Sequence, residues 1–201
     1  PSLTKEERFV CSQSNLNQTI IMLGNQTCPR KSKEYLPLKV LESYLSYGMS
    51  SILFKLFREK NGITYDVGVF NSVKKDNAPF LIYLSVSNKN AILALEILNK
   101  LWKELLLNPI KYEEIILAKE KLKSSFLINN QCLEEILQRK IQLISYGISP
   151  NTDNYYLSKI DKVLPEDIQK IMNKYFAYPF LSLIGNKEIC NEIRKRWMTN
   201  F

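Results

Sequence analysis

The sequence predicts an α+β fold, a mixed and largely antiparallel sheet of about five or six strands with helices packed on it. Three observations predict it. β-type runs and longer runs of three-to-four-residue apolar spacing follow one another as two strands, two helices, two strands, several helices, a strand and a helix. With 45% apolar and 24% charged residues over 201 positions, the chain can bury a core. No Gly/Ser tract, low-complexity run or internal repeat divides it, so residues 1–201 are read as a single domain.

The elements follow in order. Arg8–Ser12 and Gln18–Gly24 are β-type runs across the turn-prone Ser14–Asn17, so they pair as a hairpin or neighbour each other in the sheet. Leu38, Leu41 and Leu45 have helical spacing over Tyr35–Leu45, and Tyr47-Gly48 ends that helix. Met49–Lys60 is a second helix, with Ser50 or Ser51 as N-cap, Leu53, Leu56 and Phe57 as the buried stripe, and Asn61-Gly62 as the stop. Ile63–Phe70 and Pro79–Val86 are strands whose link, Asn71–Asn77, is short enough for an antiparallel pair.

The remainder is mostly helical. Ile92, Leu95, Leu98, Trp102 and Leu105 form a stripe between a capping Asn88 or Asn90 and the stop at Asn108-Pro109. Tyr112–Leu127 and Leu133–Tyr146 repeat the pattern, the second closing at Gly147. Ser149–Asn154 is the clearest loop, followed by a short helix through Leu157 and Ile160 and another starting at Pro165 with Glu166-Asp167 in its first turn. Pro179–Gly185 is the last strand, and Ile189, Ile193 and Trp197 share one face of a terminal helix.

Composition narrows the chemistry. The chain has no histidine, so no Ser-His-Asp or Cys-His site, His-ligated zinc or imidazole base can be built from it alone. Cys11, Cys28, Cys132 and Cys190 are scattered without a C-x-x-C pair and read as buried free thiols. The net charge of +8 invites a nucleic-acid reading, but cations and acids are interleaved, as in Lys119-Glu120-Lys121, and no nucleic-acid partner is expected. No apolar run reaches a membrane span and the start has no signal-peptide core, so a soluble protein without a membrane partner is expected, its compartment open between the bacterial cytoplasm and an organelle. Starting at Pro1, the chain reads as a processed or excised piece.

Residues 48–67 read Gly-Met-Ser-Ser-Ile-Leu-Phe-Lys-Leu-Phe-Arg-Glu-Lys-Asn-Gly-Ile-Thr-Tyr-Asp-Val. This resembles the second half of insulinase/pitrilysin-type zinc peptidases, a group that includes the mitochondrial processing peptidases. The family pattern is a Ser-Ser-x-Leu-Phe helix start, an Arg-Glu-Lys near the helix end, a Gly turn, and a Tyr seven residues after the Arg; Arg58 and Tyr65 have that spacing, while Ile52 replaces a common Arg. Phe80–Tyr83, Ile115–Lys123, Ile160–Ile168 and Leu181–Gly185 resemble later family segments, extending the likeness from about Glu7 to Gly185.

In that family two homologous halves close around a peptide, and one bears an inverted H-x-x-E-H helix that binds zinc. Without histidine this chain resembles the other, inactive half. The resemblance implies zinc and its ligands on a homologous partner half, on the same chain or a separate subunit, and a peptide substrate. It implies that Arg58 binds and positions the peptide and that Tyr65, catalytic only beside the zinc half, binds substrate and stabilises the oxyanion of the tetrahedral intermediate. A guanidinium fork suits carbonyls and carboxylates, and a phenol can donate to the scissile oxygen as charge develops there.

Plainer readings stand beside these. Without the family pattern Arg58 would be a helix-end cation and Tyr65 an ordinary strand aromatic. Glu59 and Lys60 read as a solvated helix end, Ser50 and Ser51 as caps, and Trp102 and Tyr112 as core. Glu113-Glu114 and Glu134-Glu135 point about 100° apart on a helix and converge on no ion. Tyr155-Tyr156 could touch a peptide, with loop-end packing the plainer account. The alternatives to a peptidase half are a scaffold or peptide-binding relative that has lost its catalytic partner and, further off, a basic nucleic-acid binder.

Overall fold

The computed structural model describes residues 3–13, 15–72 and 74–200, with Tyr65 and Asn200 described by their backbone only. Five strands form one sheet: β1 (Phe9–Gln13), β2 (Gln18–Thr27), β3 (Thr64–Asn71), β4 (Ala78–Ser87) and β5 (Phe180–Gly185). Their order is β1-β5-β2-β4-β3, with β1 parallel to β5 and every other neighbouring pair antiparallel. The predicted α+β class, with a mixed and largely antiparallel sheet, is therefore what the chain adopts. One local expectation fails. β1 and β2 are neither a hairpin nor neighbours, because β5 returns from the far end of the chain and inserts between them.

Eight α-helices are found among the described residues: α1 (Tyr35–Ser46), α2 (Ile52–Phe54), α3 (Ala91–Leu107), α4 (Tyr112–Asn129), α5 (Leu133–Ser145), α6 (Thr152–Lys159), α7 (Pro165–Tyr175) and α8 (Lys187–Asn200). α2 continues without a break as a π-helix over Lys55–Lys60. None of the described helices is long and apolar enough to cross a membrane. The Ser149–Asn154 loop is shorter than expected, since α6 already begins at Thr152.

The core lies between one sheet face and the helices. β4 alternates strictly, burying Ala78, Phe80, Ile82, Leu84 and Val86, the period-two pattern of a strand with one buried face. Against it pack Leu38, Leu41 and Leu45 of α1, Leu98 and Trp102 of α3, Ile168 and Met172 of α7, and Ile193 and Trp197 of α8, all buried. Each such side chain contributes about 1.5–3 kcal/mol by leaving water. Phe176 joins three of these elements: its ring lies 5.3 Å from Phe80 and 5.4 Å, edge-on, from Trp102, whose indole N–H donates to the Phe176 carbonyl at 3.1 Å. On the other sheet face Val10, Met22, Phe70 and Ile184 remain exposed.

α5 departs from the expected core pattern. Leu133, Leu137, Ile141 and Ile144 fall at helical spacing yet are exposed, and Leu143 alone is buried among the described residues of that helix. Apolar periodicity marks a face that can be covered, and no described element of this chain covers this one.

Candidate functional site

The segment from Ser51 to Asn71 sets the site. Ser51 stands at the N-cap of α2 with extended dihedrals (φ −68°, ψ 153°), but its buried hydroxyl makes no capping bond. The expected side-chain cap is therefore absent. Leu53 and Phe57 are fully buried and anchor the helix, while Leu56 is half-buried rather than part of the core. From Lys55 the backbone widens to π geometry, an uncommon arrangement that is frequent at functional sites. Arg58 lies in this wide turn. Its side chain is exposed, and its guanidinium carbon stacks 5.0 Å above the Phe54 ring, which limits its freedom without neutralising its charge.

The helix closes on Gly62, at φ +59° in the left-handed region that a Cβ disfavours. The Gly62 N–H donates to the Arg58 carbonyl at 3.2 Å and the Ile63 N–H to the Phe57 carbonyl at 3.0 Å. Each bond spans one residue more than the equivalent closure of an α-helix, which matches the π turn before it. The turn feeds directly into β3, which packs against the π-helix and lies at the sheet edge.

β3 opens with a bulge. Thr64 pairs with Val86 and Asp66 with Ser85, so Tyr65 is the extra residue on that strand. Bulges bend a strand and re-aim a side chain, and they recur beside active sites. The Thr64 hydroxyl holds this one, accepting from the Asp66 N–H at 3.2 Å and lying within donating reach of the carbonyls of Asp66, at 2.8 Å, and Ser85. The Tyr65 side chain lies outside the described structure. What is described is its backbone, on the edge strand that the Gly62 turn brings back against the Arg58 helix.

A cleft of about 630 Å³ borders the same helix, between Ile52, Leu56 and Lys60 on one side and Ile97, Glu104 and Glu114 of α3 and α4 on the other. Arg58 does not line it. Tyr44 faces this region, and burial, with the charges of Glu114 and Glu104, raises its phenol well above the usual range. Glu113 is exposed while Glu114 turns toward the cleft, and Glu134 and Glu135 are both exposed, so neither pair converges. Trp102 is buried as expected; Tyr112 is exposed and is not core. Tyr155 is exposed and Tyr156 packs at the loop end against Tyr35, ring centroids 5.7 Å apart.

A polar cluster escapes the sequence reading. Glu42 of α1 is buried, accepts from Lys39 Nζ at 2.5 Å and from Asn71 Nδ2 at 2.7 Å, and lies 3.3 Å from the Tyr47 hydroxyl. Burial disfavours the Lys39 charge, but the neighbouring Glu42 outweighs it and holds the ammonium above its usual range. The three-residue spacing of Lys39 and Glu42 was the available signal; Asn71 arrives only through the fold.

Zinc, the metal the family resemblance implies, does not fit this chain. There is no histidine in the sequence, and no group of three or more Cys, Asp or Glu among the described residues could hold a metal.

Known proteins share this sequence pattern and this fold. Residues 1–122 match the family described as the peptidase M16 inactive domain. A protein of Rickettsia felis named as an uncharacterized zinc protease is 32% identical over 165 residues, covering 81% of this chain and 37% of the relative. A Rickettsia bellii protein of the same name is 31% identical over 160 residues, covering 79% and 35%. The chain thus spans little more than a third of the length of these curated relatives.

Among solved structures, a peptidase M16 inactive domain from Pseudomonas fluorescens superposes with a TM-score of 0.79 at 19% identity, covering 89% of this chain and 43% of that one. A Helicobacter pylori protease superposes with a TM-score of 0.78 at 18% identity, covering 88% and 43%. At such identities these likenesses speak for the fold. The matched residues 1–122 include the wide-turned helix, the Gly62 closure and the bulged edge strand, and the chain belongs to the peptidase M16 inactive-domain family.

Proposed function

We propose that residues 1–201 form one domain, the substrate-binding, non-zinc half of a zinc endopeptidase that hydrolyses peptides or unfolded polypeptides beside a homologous H-x-x-E-H half. The observation that carries this reading is the family match over the segment where Arg58 and Tyr65 keep their seven-residue spacing. Zinc belongs to the other half, where it supplies a Lewis acid and an activated water when bound.

This chain's residues bind and orient. Arg58, exposed and steadied on Phe54, offers guanidinium donors to carbonyls or carboxylates of the peptide. Tyr65, on the bulged edge strand, donates to the scissile carbonyl oxygen as negative charge gathers there. The exposed edge of β3 can take an extended peptide through main-chain hydrogen bonds, which read backbone shape rather than side-chain sequence. The names of the Rickettsia relatives point the same way.

Reconstitution tests the reading. An unstructured reporter peptide should be cleaved when this chain and its H-x-x-E-H half are present together, and by neither half alone. Arg58→Ala should raise KM roughly tenfold or more, the effect of losing hydrogen bonds from a charged donor. Assembly of the two halves without hydrolysis of any unstructured peptide would favour the scaffold alternative.

A further inference from the structure

A hollow of about 340 Å³ lies where the start of α1, the 3-10 turn Ile160–Lys162 and α7 meet. Four lysines surround it: Lys33 just before α1, Lys159 at the end of α6, Lys162 in the turn and Lys170 on α7. Lys33, Lys162 and Lys170 are exposed, and Lys159 is half-buried. Among the described residues Lys33, Lys159 and Lys162 enter no ion pair, although the Lys159 ammonium lies 5.5 Å from the centre of the Tyr155 ring. Lys170 comes only within 3.8 Å of Asp167 Oδ1, beyond hydrogen-bond distance.

The carboxylates beside them are already engaged. Glu34 accepts from Lys174 Nζ at 2.7 Å and from the Tyr175 hydroxyl at 2.5 Å, and Asp167 Oδ2 accepts from the Leu164 N–H at 3.0 Å, the bond that caps α7. Asp161, next to Lys162, accepts from Lys123 Nζ at 2.8 Å, and neither it nor Glu166 lines the hollow. With Lys174 included, five ammonium groups stand against Glu34 and Asp167, and three positive charges remain. Charges of one sign gathered at a concave surface attract a partner of the other.

The rest of the lining is aliphatic. Buried Val163 and Ile171 and half-buried Leu36 and Pro37 complete it, and no aromatic ring takes part. Single-stranded nucleic acid stacks its bases on aromatic rings, which this lining lacks. An inorganic anion would meet the charge but leave the aliphatic surface in water. Lysine stems can lie along such a surface while their ammonium groups reach carboxylates at its rim.

We propose that this hollow between α1, the Ile160–Lys162 turn and α7 docks an acidic peptide segment, its carboxylates meeting Lys33, Lys162 and Lys170 and its aliphatic side chains lying against Leu36 and Pro37. Charge complementarity sets the sign of the partner, and the aliphatic lining sets what lies between its acids. The inference rests on this surface alone and is independent of the peptidase reading.

The test is fluorescence anisotropy of the 201-residue chain with the labelled peptide Glu-Glu-Leu-Glu-Leu-Glu-Glu. Binding should show a Kd below about 1 mM and weaken severalfold between about 50 and 200 mM salt. Replacing the Glu residues of the peptide by Gln should weaken it about tenfold or more, and replacing its Leu residues by Ser about fivefold or more. Lys162→Glu should weaken the parent peptide about tenfold. Lys187→Glu makes the same change of net charge at an exposed site outside the hollow and should move the affinity less than about twofold. Both lysines are exposed, so the variants should keep the parental urea midpoint, which confirms that each is folded. No binding at about 1 mM, equal weakening by the two lysine variants, or a Ser-substituted peptide that binds as well as the parent would overturn the proposal. So would tighter binding of an oligouridylate of equal charge, which would make this a nucleic-acid surface.

Discussion

Gly62 carries more of the local geometry than its size suggests. At φ +59° it is the point where the π-helix turns back into β3, and open space around its Cα means that a substitution there is opposed by backbone strain rather than by a clash. Gly62→Ala should therefore cost about 1–2 kcal/mol in urea unfolding, the left-handed penalty for an L-residue. The cysteines separate by environment. Cys28 and Cys190 are buried as expected, and burial beside Cys190 pushes the half-buried Cys11 thiol up to about 12, whereas Cys132 departs from the buried reading and is exposed, because it caps α5, whose apolar face is open. A thiol reagent near neutral pH should modify Cys132 first, the other three reacting only on unfolding, as mass spectrometry of brief labelling would show. At this scale the spacing of Arg58, Gly62 and Tyr65 is legible in the sequence, because turn chemistry is local. The stacking of Arg58 on Phe54 and the bulge at Tyr65 are not, since a π turn and a register shift arise from how the helix and strand meet the rest of the sheet.

Between elements, Glu34 at the start of α1 joins the end of α7, accepting from Lys174 Nζ at 2.7 Å and from the Tyr175 hydroxyl at 2.5 Å. The bonds from Lys174 and then Tyr175 hold its carboxyl below the usual range, with burial opposing them. A depressed carboxyl pKa stabilises the folded chain fully above the unfolded value, and that stability is lost as pH falls through the folded one. Glu34→Gln should accordingly lower the unfolding midpoint at pH 7, and the gap from the parent should close as acid protonates Glu34 in both folded and unfolded chains. Chemical denaturation across that range checks the sign. Most elements are legible at this scale: the stripes of α1, α3 and α8 mark faces that the core does bury, and Pro79–Val86, which reads as a strand, lies in β4. The stripe of α5 marks a face that this chain leaves open, because periodicity shows that a face can be covered without showing by what.

For the whole molecule, the strand order was the part that sequence could not supply. β5 pairs with both β1 and β2 although about 170 residues separate it from the first of them, and only the assembled core decides that insertion. Phe176 binds the layers together, contacting Phe80 in the sheet and Trp102 on α3, so Phe176→Ala should destabilise the chain by about 3–5 kcal/mol in equilibrium unfolding. Composition speaks at the same scale. A chain without histidine, in the family described as the peptidase M16 inactive domain, can build no His-ligated metal centre of its own, and the proposed function gives it a binding surface instead.

That division of labour is tested most directly by Tyr65→Phe in the assembled two-half protein, with zinc content and assembly verified. Loss of one oxyanion donor is worth about 2.7–4 kcal/mol, so kcat for an unstructured peptide should fall roughly a hundredfold to a thousandfold while zinc stays bound to the other half. A variant that turns over at the parental rate would contradict the role given to Tyr65 and, with it, the reading of this chain as the half that completes the active site.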